Sequence, residues 1–286
     1  MGMKRSEWHL NGMEGSRLYV REWVADSDVS SGAPAIRAVV CLLHGMGEHG
    51  ERYAHVAERL TAAGYAVLAM DQEGHGKTEG KRGHMSSIEA TAANVGILLA
   101  AAAERHAGIP RFLYGHSMGG NVALNAALRL KPDVQGVIAA SPWLKLALSP
   151  SAIQLWLGKM LVRLSPGLSQ STGLKESQLY RPGSAGVSPI EGDRLSHKRI
   201  TLRTFLNIDA AGDWAIRHIE QLEAPLLLLH GNADLVTSYD ASAQIAAVLG
   251  DRCQFVSVEG GYHELHNDLE SERVIAIIID WMNQQL

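Results

Sequence analysis

Short apolar runs alternate along this chain with longer stretches in which apolar residues return three and four positions apart, and no other feature restricts its fold as much. A short apolar run bounded by turn residues suits a strand buried on both faces, and a stretch of helical period suits a helix laid over it. The alternation therefore predicts a mostly parallel sheet covered by helices. Strands are expected near 17–24, 38–43, 66–71, 111–115, 136–140, 225–230 and 254–258, the first of them antiparallel at an edge. Helices are expected over about 53–63, 87–106, 118–130, 241–249 and 269–286. The pattern lapses between about 143 and 205, where an apolar, helix-like 151–164 leads into Ser-, Gly- and Pro-rich sequence before strand-like segments resume. The simplest organisation is a core of residues 1–142 and 206–286 whose crossover after Ala140 is expanded into an inserted cap, 143–205.

Composition narrows the partners. Hydrophobic residues make up 46% of the 286 positions and charged residues 20%, which describes a folded globular chain. Net charge is −4, and no stretch concentrates Lys and Arg as a nucleic-acid or anionic-lipid surface would, so nucleic acid is not expected as a partner. The only cysteines, Cys41 and Cys253, sit inside apolar or β-branched runs, which excludes a disulfide framework and reads as buried packing rather than reactive thiols. Residues 1–10 are charged and polar, and no later apolar run approaches the length of a membrane span, so cytoplasmic residence is expected.

The sharpest motif is Gly115-His116-Ser117-Met118-Gly119, which follows a strand-like Arg-Phe-Leu-Tyr and opens a helix-like 121–130. A serine held on a strained strand-to-helix turn needs small residues two before and two after it, because neighbouring backbone passes close by. The helix that starts there aims N–H groups and the positive end of its dipole at an anion. A serine hydroxyl is a weak nucleophile at neutral pH and needs an adjacent base oriented by a third group. Asp234, four residues beyond the run Leu226-Leu227-Leu228-Leu229-His230, and His263, just past the last strand-like segment, fall on loops at the same carboxyl edge of the sheet. Asp240 competes as the acid but reads as a helix N-cap, and His266 competes as the base but can equally face the core or pair with a carboxylate.

A second glycine turn, His44-Gly45-Met46-Gly47-Glu48-His49, directly follows the strand-like 39–43. Beside the serine turn it is placed to supply one backbone N–H of an oxyanion hole, so Met46 and Met118 are expected to donate through their main-chain nitrogens. No metal is expected: His263-Glu264-Leu265-His266 falls one residue short of H-E-x-x-H, because position 267 is Asn267, and the other loop histidines suit hydrogen bonds to backbone. Gly74-His75-Gly76-Lys77-Thr78 is too short for a phosphate loop.

At these positions the chain resembles the monoacylglycerol lipase and lysophospholipase-like branch of the α/β-hydrolases, often called serine aminopeptidase-like hydrolases. Four stretches carry the resemblance: His44 through His49 with Arg52-Tyr53, Asp71 through Gly83, Gly115 through Gly120, and Gly261 through His266. It implies an α/β-hydrolase fold with a mostly parallel eight-stranded sheet, flanking helices and an inserted cap, and the same roles for Ser117, Asp234, His263, Met46 and Met118. Glu48, Arg52 and His116 are implied to fix the loops around the pocket and the polar end of the substrate. The implied activity is cofactor-free hydrolysis of a lipid ester, monoacylglycerol first, through an acyl-enzyme. Lysophospholipase or short-chain carboxylesterase is the alternative, with aminopeptidase, thioesterase, acyltransferase and non-catalytic ligand binding behind. Gln72-Glu73 depart from the family, which usually carries an arginine before Gly-His-Gly, and the cap matches least.

Within the cap, Ile153, Leu157, Met160, Leu161 and Leu164 recur at helical spacing and suit packing on the core. Leu155, Trp156 and Val162 cannot share that face, with Lys159 and Arg163 as a modest polar edge. Leu155 and Trp156 are therefore expected to line or gate an apolar tunnel, with the cap touching micelles or membranes transiently.

Overall fold

The computed structural model describes residues 2–26, 36–148, 151–184 and 192–286. Eight strands form one sheet. β1 (Met3–Asn11) and β2 (Arg17–Ala25) precede β3 (Ala38–Leu43), β4 (Tyr65–Met70), β5 (Arg111–His116) and β6 (Gly136–Ala140). After an excursion containing β7 (Ser169–Ser171) and β8 (Arg199–Thr201), the sheet resumes with β9 (Leu226–Gly231) and β10 (Cys253–Val258). Its order is β1-β2-β4-β3-β5-β6-β9-β10, with β1 and β2 antiparallel to their neighbours and the rest parallel.

The inner strands β3, β4, β6 and β9 are buried at every residue, because helices cover both faces and leave no solvent side to favour alternation. On one face lie α2 (Ile88–Arg105), α3 (Met118–Leu130), α5 (Leu202–His218) and α6 (Tyr239–Leu249); on the other lie α1 (Ala54–Ala62) and α7 (Ser271–Gln284). Each layer closes its own apolar cluster against the sheet.

Two sequence expectations change here. β2 is antiparallel but not the edge: it pairs with β4, and the outermost strand is β1, in the charged and polar terminus where no strand is expected from the sequence. Residues Arg5, Ser6 and Glu7 are exposed on β1, and charge is what keeps an open sheet edge from recruiting another strand, so the property that hides the strand in the sequence also protects it. Asp240 is not an N-cap either. Ser238 caps α6 by accepting from the Ala241 N–H at 3.2 Å, and Asp240 sits exposed in the first turn.

Between the neighbouring strands β6 and β9 the chain runs through α4 (Ala152–Leu164), the antiparallel pair β7–β8 and α5. Positions 149–150 and 185–191 of the expected insertion lie outside the described residues. α4 begins at a capping box between Ser151 and Gln154. α5, unforeseen in the sequence, starts from the Thr201 cap and is fixed to α3, where Asn121 and Asn125 donate to the carbonyls of Ile208 (3.0 Å) and Ala211 (3.2 Å). α4 rests on α5 through half-buried Leu155, Gly158 and Val162, with Gly158 beside Leu202 and Leu206. The stripe expected to pack on the core points outward instead: Ile153 is 71% exposed and Leu164 86%. A helix apolar nearly all round buries whichever face fits its partner, and here the seam through Gly158 allows the closer approach.

Candidate active site

Ser117 joins β5 to α3 with φ +53° and ψ −117°, a strained conformation for a residue with a side chain. The turn is that tight because a Cβ on Gly119 would stand 2.2 Å from the Leu43 carbonyl oxygen, and one on Gly115 would stand 2.1 Å from that of Gly119. The Ser117 N–H donates to Ala140 O at 3.0 Å, tying the turn to β6.

His263 follows β10 and Asp234 follows β9, so three loops converge over one sheet edge. His263 Nε2 lies 2.9 Å from Ser117 Oγ, and its Nδ1 lies 2.8 Å from Asp234 Oδ2. Asp234 Oδ1 also accepts from the N–H groups of Val236 (2.7 Å) and Thr237 (3.1 Å), and Oδ2 accepts from Thr237 Oγ1 (2.9 Å). Burial alone would raise the Asp234 carboxyl, but the charge of His263 and hydrogen bonds from His230 and His263 hold it well below the usual carboxylate range. For His263 burial pulls down while the Asp234 charge and hydrogen bond push up, and the net shift is upward. Such a chain can draw a proton from the serine hydroxyl and return it to a leaving group. His266 is not part of it: it stacks on Tyr53 at 4.6 Å, buried behind the site.

The glycine turn after β3 is fixed from below. Glu48 Oε1 accepts from the Gly45 N–H at 2.6 Å and from Tyr53 OH at 2.8 Å, while Arg52 lies 3.4 Å from Glu48 Oε2 and 3.7 Å from Glu264 Oε2. Burial, then Glu48, raises the Glu264 carboxyl above its ordinary value. Met46 therefore follows an immobilised Gly45 at the cleft wall, and Met118 opens α3 directly after Ser117. His116 is buried with its ring 4.9 Å from His263, and burial keeps it well below the usual histidine range and so neutral. At the departure Gln72-Glu73 the turn is held by both residues: Gln72 Nε2 donates to His44 O at 2.6 Å and its N–H to His44 Nε2 at 3.0 Å, and Glu73 Oε2 accepts from Ser86 Oγ at 2.6 Å.

Above Ser117 opens a cleft of about 760 Å³ including its mouth, lined by Trp143, Leu146, Leu174, Leu179, Ile200, Phe205 and Val236, with Glu48 and Glu264 among its polar groups. Leu155 and Trp156 do not line it: Leu155 is half-buried beside α5 and Trp156 is 61% exposed. The apolar wall comes instead from Trp143 and Leu146 after β6, Leu174 and Leu179 between β7 and β8, Ile200 of β8, Phe205 of α5 and Val236 after β9, residues that carry no motif. His230 and Thr237 were also passed over. The available signal was a histidine ending an otherwise apolar strand, four residues before Asp234. Among the described residues no group of three or more His, Cys, Asp or Glu could hold a metal ion, and no helix is long and apolar enough to cross a membrane.

A sheet of this order with a serine turn at the end of β5 defines an α/β-hydrolase. The family described as serine aminopeptidase, S33, matches residues 34–270, and the chain belongs to this family of serine hydrolases. It is 28% identical over 283 residues to a monoacylglycerol lipase of Mycolicibacterium smegmatis, covering 99% of this chain and 98% of that protein. An abhydrolase domain-containing protein of Dictyostelium discoideum is 34% identical over 261 residues, 87% of this chain, but the chain spans only 26% of that protein's length. The crystal structure of a Paleococcus ferrophilus monoacylglycerol lipase superposes over the whole of both chains with a TM-score of 0.79 and 30% identity.

Proposed function

We propose that this protein hydrolyses monoacylglycerols to fatty acid and glycerol, with Ser117 as nucleophile, His263 as general base and Asp234 as the orienting acid. The observation that carries the reading is the Ser117–His263–Asp234 chain, 2.9 Å and 2.8 Å, at the foot of an apolar cleft. Likeness over full length to monoacylglycerol lipases of two organisms supports the substrate.

In the reaction Ser117 Oγ bonds to the ester carbonyl carbon as its proton passes to His263 Nε2. The carbonyl oxygen takes the electron pair and is held by the main-chain N–H groups of Met46 and Met118. When the pair returns, the C–O bond to glycerol breaks and His263 gives its proton to the departing oxygen. Water then loses a proton to His263 and attacks the acyl carbon, and the freed acid leaves as Ser117 recovers its proton. Glu48, Arg52 and His116 keep the polar end of the cleft rigid around the alcohol.

In this reading residues 143–205 act as a cap that meets lipid surfaces transiently. Support comes from the exposed Ile153, Trp156, Leu157 and Met160 of α4 and from charge. Nine lysines and arginines against three acids fall within 143–205, a surplus of six in a chain of net charge −4, so the even charge distribution expected from the sequence does not hold there. Both cysteines are free thiols, which suits work in the reducing cytoplasm.

A panel of monoacylglycerols, lysophospholipids, short esters and aminoacyl amides tests the reading. Monoacylglycerols should give the highest kcat/KM, and a higher value on lysophospholipids or aminoacyl amides would overturn the substrate.

A further inference from the structure

The proposed mechanism leaves one buried histidine unused. His230, the penultimate residue of β9, is fully buried, as is Ser242 on α6. His230 Nδ1 lies 2.7 Å from Ser242 Oγ, and its Nε2 lies 3.1 Å from Asp234 Oδ2, the same oxygen that His263 Nδ1 approaches at 2.8 Å. An ionised carboxylate only accepts hydrogen bonds, so the nitrogen facing it must carry a proton. The other nitrogen, Nδ1, is then free to accept from the Ser242 hydroxyl, which strengthens Nε2–H as a donor. Oδ2 thus receives Thr237 Oγ1–H, His263 Nδ1–H and His230 Nε2–H together.

We propose that His230, its tautomer set by Ser242, is a positioning residue: it shares the Asp234 carboxylate with His263 and so sets the pH at which His263 becomes free to act as a base. A carboxylate that gives charge to a second donor holds the imidazolium of His263 less tightly, so the base is deprotonated at lower pH than with His263 alone on Oδ2. The inference rests on the proposed catalytic roles of Asp234 and His263. Other groups facing His263 are His116, His266, Glu48 and Glu264, none of them on β9 or α6. Beside His230 stands Tyr239, with its ring edge-on at 5.8 Å.

The test reads the acid limb of kcat/KM against pH on a soluble ester, together with the downfield proton resonance of His263 Nδ1–H. His230→Met should move the limb upward by about one pH unit and the resonance further downfield, since a relieved Asp234 accepts more strongly. Ser242→Ala should give a smaller shift in the same direction, and His230→Gln, which restores a neutral donor, should bring the limb back towards its native position. A limb and resonance unmoved in a folded His230→Met would reduce His230 to packing and overturn the inference. If that variant fails to fold, histidine 15N shifts of the native enzyme decide: the Nε2–H tautomer at His230 is expected, and the Nδ1–H tautomer contradicts it. Ser117→Ala, run beside these, separates the two failures, because turnover that persists there would sink the triad reading whatever His230 does.

Discussion

The sheet edge that carries Ser117 and the helix α4, which rests on α5, are built on opposite terms. At the edge, Asp234, His230, Thr237 and His263 are all buried, and the other three each hydrogen-bond to Asp234. Along α4 the side chains of Ile153, Trp156 and Leu164 are 71%, 61% and 86% exposed, while Leu155, Gly158 and Val162 are half-buried. The first region is over-determined, since a Cβ at Gly115 or Gly119 would stand 2.1–2.2 Å from a backbone oxygen, which restricts both positions to glycine. The second is under-determined by the chain itself, which leaves its apolar side chains open to the lipid contact proposed for them.

The contrast predicts where substitution hurts. Asp234→Asn and His263→Ala should each lower kcat on the order of a thousandfold or more, while Asp240→Asn, in the exposed first turn of α6, should leave it within about twofold. Gly119→Val should cost more than about 4 kcal/mol by chemical denaturation, because its Cβ meets Leu43 O, whereas Leu157→Ser should change stability by less than about 0.5 kcal/mol. Trp156→Ser with Leu157→Ser should weaken flotation with lipid vesicles and lower turnover of long-chain monoacylglycerol several-fold, with a soluble short ester unaffected. Equal loss on both substrates would erase the distinction between the two regions. The smallest effect is in pH: only neutral His263 accepts the serine proton, and its pKa is raised, so kcat/KM should climb with pH through a midpoint above the ordinary histidine value of about 6.5. A midpoint below that value would mean that burial outweighs the Asp234 charge and hydrogen bond at His263.

Legibility in the sequence follows the same division. Gly115, Ser117 and Gly119 are constrained by atoms two to four residues away or on the adjoining strand, so their spacing alone announces the turn, and the loops after β9 and β10 bring Asp234 and His263 to it. β3 to β6 and β9 were readable because burial on both faces makes them largely apolar, whereas β10, at the sheet edge with Gln254 and Ser257 exposed, was readable from Phe255, Val256 and Val258. β1 was missed because its outward side chains are charged, and α5 because it begins in turn-rich sequence and depends on Asn121 and Asn125 of another helix. The buried face of α4 could not be read from a helix apolar on several sides, since Gly158 and α5 decide it together. The cleft wall of Trp143, Leu174, Ile200 and Phe205 is a product of tertiary folding with no local pattern.

The central claim is that Ser117 is the nucleophile, and active-site labelling tests it most directly. Treated with an organophosphonate, the native protein should take up one adduct per chain, mapped to Ser117 by peptide mass spectrometry, and lose ester turnover in step with labelling; Ser117→Ala should take up none at an unchanged melting temperature. An adduct on any other serine, or turnover that survives complete labelling of Ser117, would contradict the account.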